Sequence, residues 1–65
     1  MTKFNEYDCV EALETIENVP KGATGTILDV YTDDDFLVEF TDGLPSYGTF
    51  TVKASQIALW KPQRG

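Results

Sequence analysis

Residues 25–40, with the sequence GTILDVYTDDDFLVEF, decide the fold of this chain. In the second half of this stretch, Phe36, Val38 and Phe40 recur at every second position. Because alternate side chains of a β-strand point to opposite faces of a sheet, this spacing predicts a strand with a buried aromatic face. Asp33–Asp35 separate it from a first half rich in β-branched residues, so the stretch predicts a β-hairpin with an acidic turn.

The same alternation predicts the other strands. In the first half of the hairpin, one face is expected to carry Thr26, Leu28 and Val30 and the other Ile27, Asp29 and Tyr31. Further along, Phe50 and Val52 alternate with polar neighbours and predict another strand. After a polar break at residues 54–56, residues 57–61 predict the last strand, which Pro62 ends.

The first apolar stretch, residues 7–16, fits a helix and a strand equally well by local propensity. Its apolar residues have helical spacing, and Asp8 could cap such a helix. As a strand, it would place Val10 and Ala12 on one face. Four short strands need a partner that protects their edges, so we predict a fifth strand here, with a helix across one face as the alternative.

Proline and glycine mark the breaks between these segments. Val19-Pro20-Lys21-Gly22 has proline second and glycine fourth, which predicts a type I turn. Asp42-Gly43 predicts a second break, which residues 44–48 extend into a loop. At 65 residues the chain, 1–65, is expected to be a single domain. We expect its core at about residues 7–61, between flexible termini at residues 1–6 and 62–65.

The charge balance narrows the classes of partner. Eleven acidic and five basic residues give a net charge of -6 and a pI near 4.2. Such a chain repels phosphate backbones and anionic lipids, so we expect neither nucleic acid nor a membrane as partner. A basic protein would be attracted, although acidity can also serve solubility alone.

Cysteine usage and the N-terminus bear on the compartment. Cys9 is the only cysteine, so no intramolecular disulfide can form, which fits a reducing environment. The first residues contain no apolar stretch typical of a signal peptide. We therefore expect a cytoplasmic protein, with Cys9 buried as a small apolar residue, because neighbouring carboxylates disfavour a thiolate.

The sequence lacks the residues that catalytic, cofactor and metal chemistry need. It contains no histidine, and Ser46 and Ser55 have no base in their sequence context. Gly22 and Gly25 precede a β-branched strand, whereas a phosphate-binding loop precedes a helix. Counted from Asp29, the acidic residues lack the glycine and glutamate of a calcium loop. We expect a non-enzyme with no catalytic residue, no cofactor and no metal.

Several of these segments together resemble a known family. Tyr7-Asp8-Cys9-Val10, the run K-G-A-T-G-T-I at residues 21–27 and L-V-E-F at residues 37–40 are similar to motifs of the small bacterial family called domain of unknown function 4926. The resemblance covers about residues 7–60. It implies an all-β, five-stranded SH3-like barrel, with residues 14–22 as a long first loop and residues 54–56 as a short 3₁₀ turn before the last strand. It implies no activity, and similar barrels serve as accessory subunits of larger assemblies.

The polar aromatic residues that remain are the candidates for recognition. Tyrosine and tryptophan are enriched in binding hot spots, and the chain carries Tyr7, Tyr31, Tyr47 and Trp60. The tryptophan pair of polyproline-binding SH3 domains is absent, which disfavours that type of ligand. The candidate partner-binding surface comprises three aromatic and three acidic residues: Tyr31, Tyr47, Trp60, Asp33, Asp34 and Asp35.

Three hypotheses about function follow from these residues. The first is a non-catalytic, acidic protein-interaction module or accessory subunit with an unknown protein partner, for which a basic protein is one candidate. The alternative is an acidic inhibitor or immunity-type protein that blocks a basic nucleic-acid enzyme. The third is a homodimer, in which an exposed edge strand or apolar patch joins two copies.

Overall fold

The computed structural model describes residues 4–41 and 47–60, and these residues form one sheet of five antiparallel strands. The strands are β1 (Cys9–Ala12), β2 (Thr24–Val30), β3 (Asp35–Phe40), β4 (Gly48–Lys53) and β5 (Ile57–Leu59). Their order is β4-β3-β2-β1-β5, and the sheet curls into a half-barrel. The predicted all-β, five-stranded SH3-like barrel is confirmed, including the 3₁₀ turn at Ala54–Gln56 before the last strand.

The first apolar stretch forms a strand, as predicted. Val10 and Ala12 are buried, and β1 pairs with β2 on one side and with β5 on the other. The expectation that Cys9 is buried is wrong, because its thiol side chain is exposed. Successive side chains of a strand point to opposite faces, so the burial of Val10 directs Cys9 outward.

A bulge interrupts the pairing of β2 with β3. The register shifts between Ile27 and Asp29, which makes Leu28 an extra residue of β2. Ile27 is fully buried, and Val30 also packs against the core. The strict alternation predicted for residues 26–31 is therefore wrong beyond Ile27, because the extra residue reverses which side chains point inward. A bulge also increases the local twist, which helps the sheet to curl.

The core is one cluster formed by inward side chains of the strands and of the chain segments that connect them. Its members are Phe4, Val10, Ala12, Ile16, Val19, Ala23, Ile27, Phe36, Val38, Phe40, Val52 and Ile57. The predicted aromatic face of β3 is confirmed, since Phe36, Val38 and Phe40 are fully buried. Phe4, which falls in the terminal segment expected to be flexible, belongs to this core. Its ring lies 5.3 Å from that of Phe36 at 80°, an edge-to-face arrangement.

The connection between β1 and β2 contributes to the core and ends in a tight turn. Ile16 and Val19 are buried and form an isolated bridge to each other. The N–H of Ala23 donates to the carbonyl of Pro20 at 3.1 Å, and Gly22 has φ +92. The turn therefore spans residues 20–23, and the type I turn predicted over residues 19–22 is wrong. Positive φ at the third position is typical of a type II turn and favours glycine there.

Some predictions fall outside the described residues. These include the break at Asp42-Gly43, most of the loop at residues 44–48, and the end of the last strand at Lys61 and Pro62. In the described ranges, no helix has the length and apolar character that crossing a bilayer would need.

Candidate partner-binding surface

Thr32 organises the turn of the β2–β3 hairpin. Its Oγ1 accepts hydrogen bonds from the backbone N–H groups of Asp34 (3.1 Å) and Asp35 (3.0 Å), and it donates to Asp35 Oδ2 at 2.9 Å. The backbone N–H groups of Tyr31 and Thr32 both donate to the carbonyl of Asp35, at 2.9 and 3.2 Å. These bonds join the two ends of the turn and hold its backbone in one shape.

Two of the three aspartates bind the end of β4. Lys53 Nζ lies 2.6 Å from Asp35 Oδ1 and 3.9 Å from Asp34 Oδ2. The N–H of Ala54 donates to the carbonyl and to the Oδ1 of Asp34, both at 3.1 Å. Asp34 and Asp35 therefore join the hairpin turn to the start of the 3₁₀ turn.

The ion pair shifts the pKa of both partners. The hydrogen bonds from Lys53 and Thr32 lower the pKa of Asp35 below its ordinary 3.8. The hydrogen bond to Asp35 and its negative charge raise the pKa of Lys53 above its ordinary 10.5. Both groups therefore remain charged throughout the neutral range.

The structure places four of the six predicted surface residues together. Tyr31 begins the hairpin turn and is 53% exposed, and Asp33, Asp34 and Asp35 follow it. Asp33 and Asp34 are exposed, whereas Asp35 is half-buried against Lys53. An aromatic ring next to carboxylates at the end of a rigid hairpin can contact an apolar group and a cation of a partner at once.

Tyr47 lies at the other end of β3 from this turn. Its N–H donates to the carbonyl of Phe40 at 3.0 Å, and its side chain packs against the core. Because β3 runs from Asp35 to Phe40, the two ends are about 17 Å apart at ~3.4 Å per residue. Tyr47 is therefore not part of the surface around the hairpin turn.

Trp60 lies beside the first strand. Its N–H donates to the carbonyl of Cys9 at 2.9 Å, and its side chain is 39% exposed. Cys9 pairs on its other side with Thr26, near the beginning of β2, whereas Tyr31 follows the end of that strand. Trp60 and Cys9 thus form a second exposed patch on the side of β1.

Tyr7 is an exposed aromatic residue outside the predicted six-residue surface. Its side chain is 71% exposed, and its backbone has φ 72. The N–H of Tyr7 donates to the carbonyl of Ile27 (2.7 Å), and the N–H of Ile27 donates to the carbonyl of Asp8 (3.0 Å). Tyr7 and Asp8 thus face Ile27 as a two-residue bulge of the kind whose first residue is normally glycine. No sequence signal marks it, because that glycine is absent.

Sequence reasoning also missed an apolar groove along β5. Leu13 and Leu59, both exposed, face a groove of about 560 Å³. Its lining consists of Phe4, Leu13, Ala54, Ser55, Ile57, Ala58 and Leu59. The period of two predicted the last strand, but only the strand order tells which of its edges stays open.

In the described part of the chain, no group of three or more histidine, cysteine, aspartate or glutamate side chains is arranged to hold a metal ion. No family model matches the chain, and neither the curated proteins nor the solved structures contain a match to it. The resemblance to domain of unknown function 4926 therefore stays a prediction from the sequence.

Proposed function

We propose that the chain is a non-catalytic protein-interaction module or an accessory subunit of a larger assembly. The observation that supports this is its set of exposed large hydrophobic side chains: Tyr7, Leu13, Tyr31, Leu59 and Trp60. A chain of 65 residues has few large apolar side chains to form its core, so leaving several at the surface is costly to stability. Tyrosine and tryptophan in particular anchor protein interfaces.

Tyr31 with the acidic hairpin turn is the proposed contact surface, and Trp60 is a separate anchor. The Thr32 hydrogen bonds and the Lys53–Asp35 pair hold this turn before any partner arrives. A preorganised surface loses less conformational entropy on binding than a mobile loop does.

The alternative proposal is an acidic inhibitor or immunity-type protein that occupies the basic site of a nucleic-acid enzyme. It is supported by the net charge of -6 and by the surface position of every described carboxylate. Such a charge distribution would accelerate the approach of a basic partner, and the effect would decrease with salt.

Affinity capture from a lysate of the source cells tests the interaction module. We expect a saturable partner whose affinity falls about tenfold for Tyr31→Ala or Trp60→Ala, as expected when an aromatic anchor is removed. Thr51→Ala, at an exposed position of β4, is the control and should bind like the wild type. Failure to recover any saturable partner, or equal binding by all four proteins, would contradict the proposal.

Salt and one charge substitution separate the two proposals. An inhibitor should lose about tenfold or more in affinity between ~50 and ~500 mM NaCl, and again on Asp33→Asn, while an aromatic-anchored module should change much less. Asp33→Asn leaves the contacts of Asp34 with Ala54 and of Asp35 with Lys53 in place. Glu17→Gln removes the same charge from the exposed first loop and serves as the control.

Self-association is tested by light scattering over a concentration series. A mass that doubles with concentration would support the homodimer, and a monomer throughout would exclude it over that range.

A further inference from the structure

We propose that the open edge of β5 binds an extended segment of a basic protein by antiparallel strand addition. The bound segment would alternate apolar side chains, which enter the groove beside β5, with cationic side chains, which lie near Trp60. This inference rests on the proposed function as a protein-interaction module and names its mode of recognition and the chemistry of its partner.

β5 is the last strand in the order of the sheet. Within the described ranges β5 pairs with β1 alone. Two hydrogen bonds next to the ends of β5 join it to the first strand. The N–H of Trp60 donates to the carbonyl of Cys9 at 2.9 Å, and the N–H of Leu13 donates to the carbonyl of Gln56 at 2.8 Å. In an antiparallel ladder every second residue bonds to the same neighbour, so Ala58 also faces β1 and Leu59 faces away from it.

The same alternation directs Ile57 away from β1. The N–H of Ile57 is already bonded to the carbonyl of Ala54. The carbonyl of Ile57 and both backbone groups of Leu59 therefore form the open edge. A row of such groups is a template for another extended chain, which is the ligand that fits it.

The apolar groove adjoins this open edge. Its lining consists mainly of apolar side chains, among them Phe4, Ile57 and Leu59. In an antiparallel pair, directly opposed residues point to the same face of the sheet. A residue that bonds to Leu59 would therefore place its own side chain into the groove. Burial there favours valine, isoleucine or leucine at alternate positions of the ligand.

The outer face of β5 is the reason why we expect cationic side chains at alternate positions of the bound segment. Ala58 pairs with Glu11 on this face, and the half-exposed Trp60 lies opposite Cys9. The described cations lie elsewhere, Lys21 in the turn after Pro20 and Lys53 against the hairpin aspartates. An arginine or lysine of the added strand would lie within reach of the Trp60 ring and of the Glu11 carboxylate.

Charge also argues against a second copy of this chain as the occupant. Each copy carries a net charge of -6, so two copies repel each other. The edge strand has only three residues, which gives a dimer few hydrogen bonds to offset that repulsion. A basic segment of another protein gains from the same charge.

Peptide titration monitored by amide chemical shifts of the whole chain tests the inference. The probe is the peptide acetyl-Val-Arg-Val-Lys-Val-Arg-Val-amide. We expect saturable shifts centred on the Leu59 amide and the Trp60 indole, with the Leu59 amide protected from hydrogen exchange. The same peptide methylated at its valine amide nitrogens keeps its charge and apolar side chains but cannot donate hydrogen bonds from those nitrogens to the open carbonyls of the edge. We expect it to bind about tenfold more weakly, equivalent to about 1.4 kcal/mol.

Two substitutions localise the site on the protein. Leu59→Lys places a cation in the groove and should weaken peptide binding about tenfold or more. Thr51→Lys introduces the same side chain at an exposed position of β4, which lies at the other end of the strand order from β5, and should leave binding unchanged. If Leu59→Lys does not fold, the methylated peptide on the wild-type chain decides the question.

Several results would contradict strand addition at β5. Shifts centred on Tyr31 and Asp33, equal binding of the methylated peptide, or no saturable binding would overturn the strand-addition site. Leu59 shifts that depend on protein concentration without peptide would identify a second copy as the occupant and also overturn it. The interaction module itself would survive these results if the lysate yields a saturable partner whose binding Tyr31→Ala or Trp60→Ala weakens. It would fail if the lysate yields no such partner or if all the variants bind it equally.

Discussion

Tyr7 occupies a backbone position that favours glycine. Its φ of 72 places a bulky residue in the left-handed region, and its exposed ring adds little to the core. This conformation costs about 1–2 kcal/mol for a residue with a Cβ, and glycine loses about 0.5–1 kcal/mol through its flexibility. We therefore expect Tyr7→Gly to raise the free energy of unfolding by up to about 1 kcal/mol in urea denaturation.

Tyr31→Gly is the matched control for this prediction. Tyr31 is exposed as well, but it is not among the described residues with positive φ. Its replacement should therefore lower the stability by about 0.5–1 kcal/mol. A larger loss for Tyr7→Gly than for Tyr31→Gly would show that the Tyr7 side chain contributes to folding.

Gly25 marks the closest approach of two strands. A Cβ at this position would lie 2.6 Å from the carbonyl oxygen of Glu39 and 3.0 Å from Phe40 Cα. Both are backbone atoms, so β2 and β3 would have to move apart. We expect Gly25→Ala to lower the free energy of unfolding by about 2–3 kcal/mol, measured by urea denaturation.

Gly22→Ala isolates the other reason for a glycine. A Cβ there meets no atom within 4 Å, but φ is +92. Its cost should therefore be the conformational strain alone, about 1–2 kcal/mol, with the β2–β3 amide shifts unchanged. Equal perturbation of β2–β3 by both variants would contradict the close-approach argument.

The Lys53–Asp35 pair joins β4 to the hairpin turn. The pKa of Asp35 is lowered in the folded chain, so its contribution to stability is present above pH 3.8 and is lost as the pH falls through the lower folded pKa. The pKa of Lys53 is raised, so its contribution is complete below pH 10.5 and is lost as the pH rises through the higher folded pKa.

We expect Lys53→Gln to flatten both the acidic and the alkaline limb of a plot of unfolding free energy against pH. Lys21→Gln, in an exposed turn, is the control and should retain the wild-type profile. Identical profiles for wild type and Lys53→Gln would show that the pair does not stabilise the hairpin.

The surplus of carboxylates over cationic side chains opposes folding. The described acidic side chains all lie at the surface, where their repulsion is screened by ions. We expect the Tm to rise when NaCl increases from ~10 to ~500 mM, because the Debye length falls from about 30 Å to below about 5 Å. Lys53→Gln has one more net negative charge and should show a larger rise. A Tm that falls with salt would indicate that attractive ion pairs dominate.

Much of the fold could be predicted from periodicity. The alternation of Phe36, Val38 and Phe40 determines which face of β3 is buried, since a strand has no other way to bury three large apolar side chains. The acidic run Asp33–Asp35 similarly identifies the hairpin turn. The absence of histidine from the sequence removes the most common general base of enzymes. These features are local, because they depend only on which side chains are neighbours along one strand or turn.

Other features depend on atoms that are distant in sequence. The bulge at Leu28 arises from the pairing of two strands, and it alters the inward residues of β2. Asp34 and Asp35 have a structural role, because the end of β4 places Lys53 and the following Ala54 within hydrogen-bond distance of them. Tyr47 is separated from the hairpin turn by the length of β3, and β5 has an open edge because of the strand order. Composition and period determined four of the five strands and the charge of this protein. The packing of the strands decided which side chains share a surface, because that depends on register and curvature.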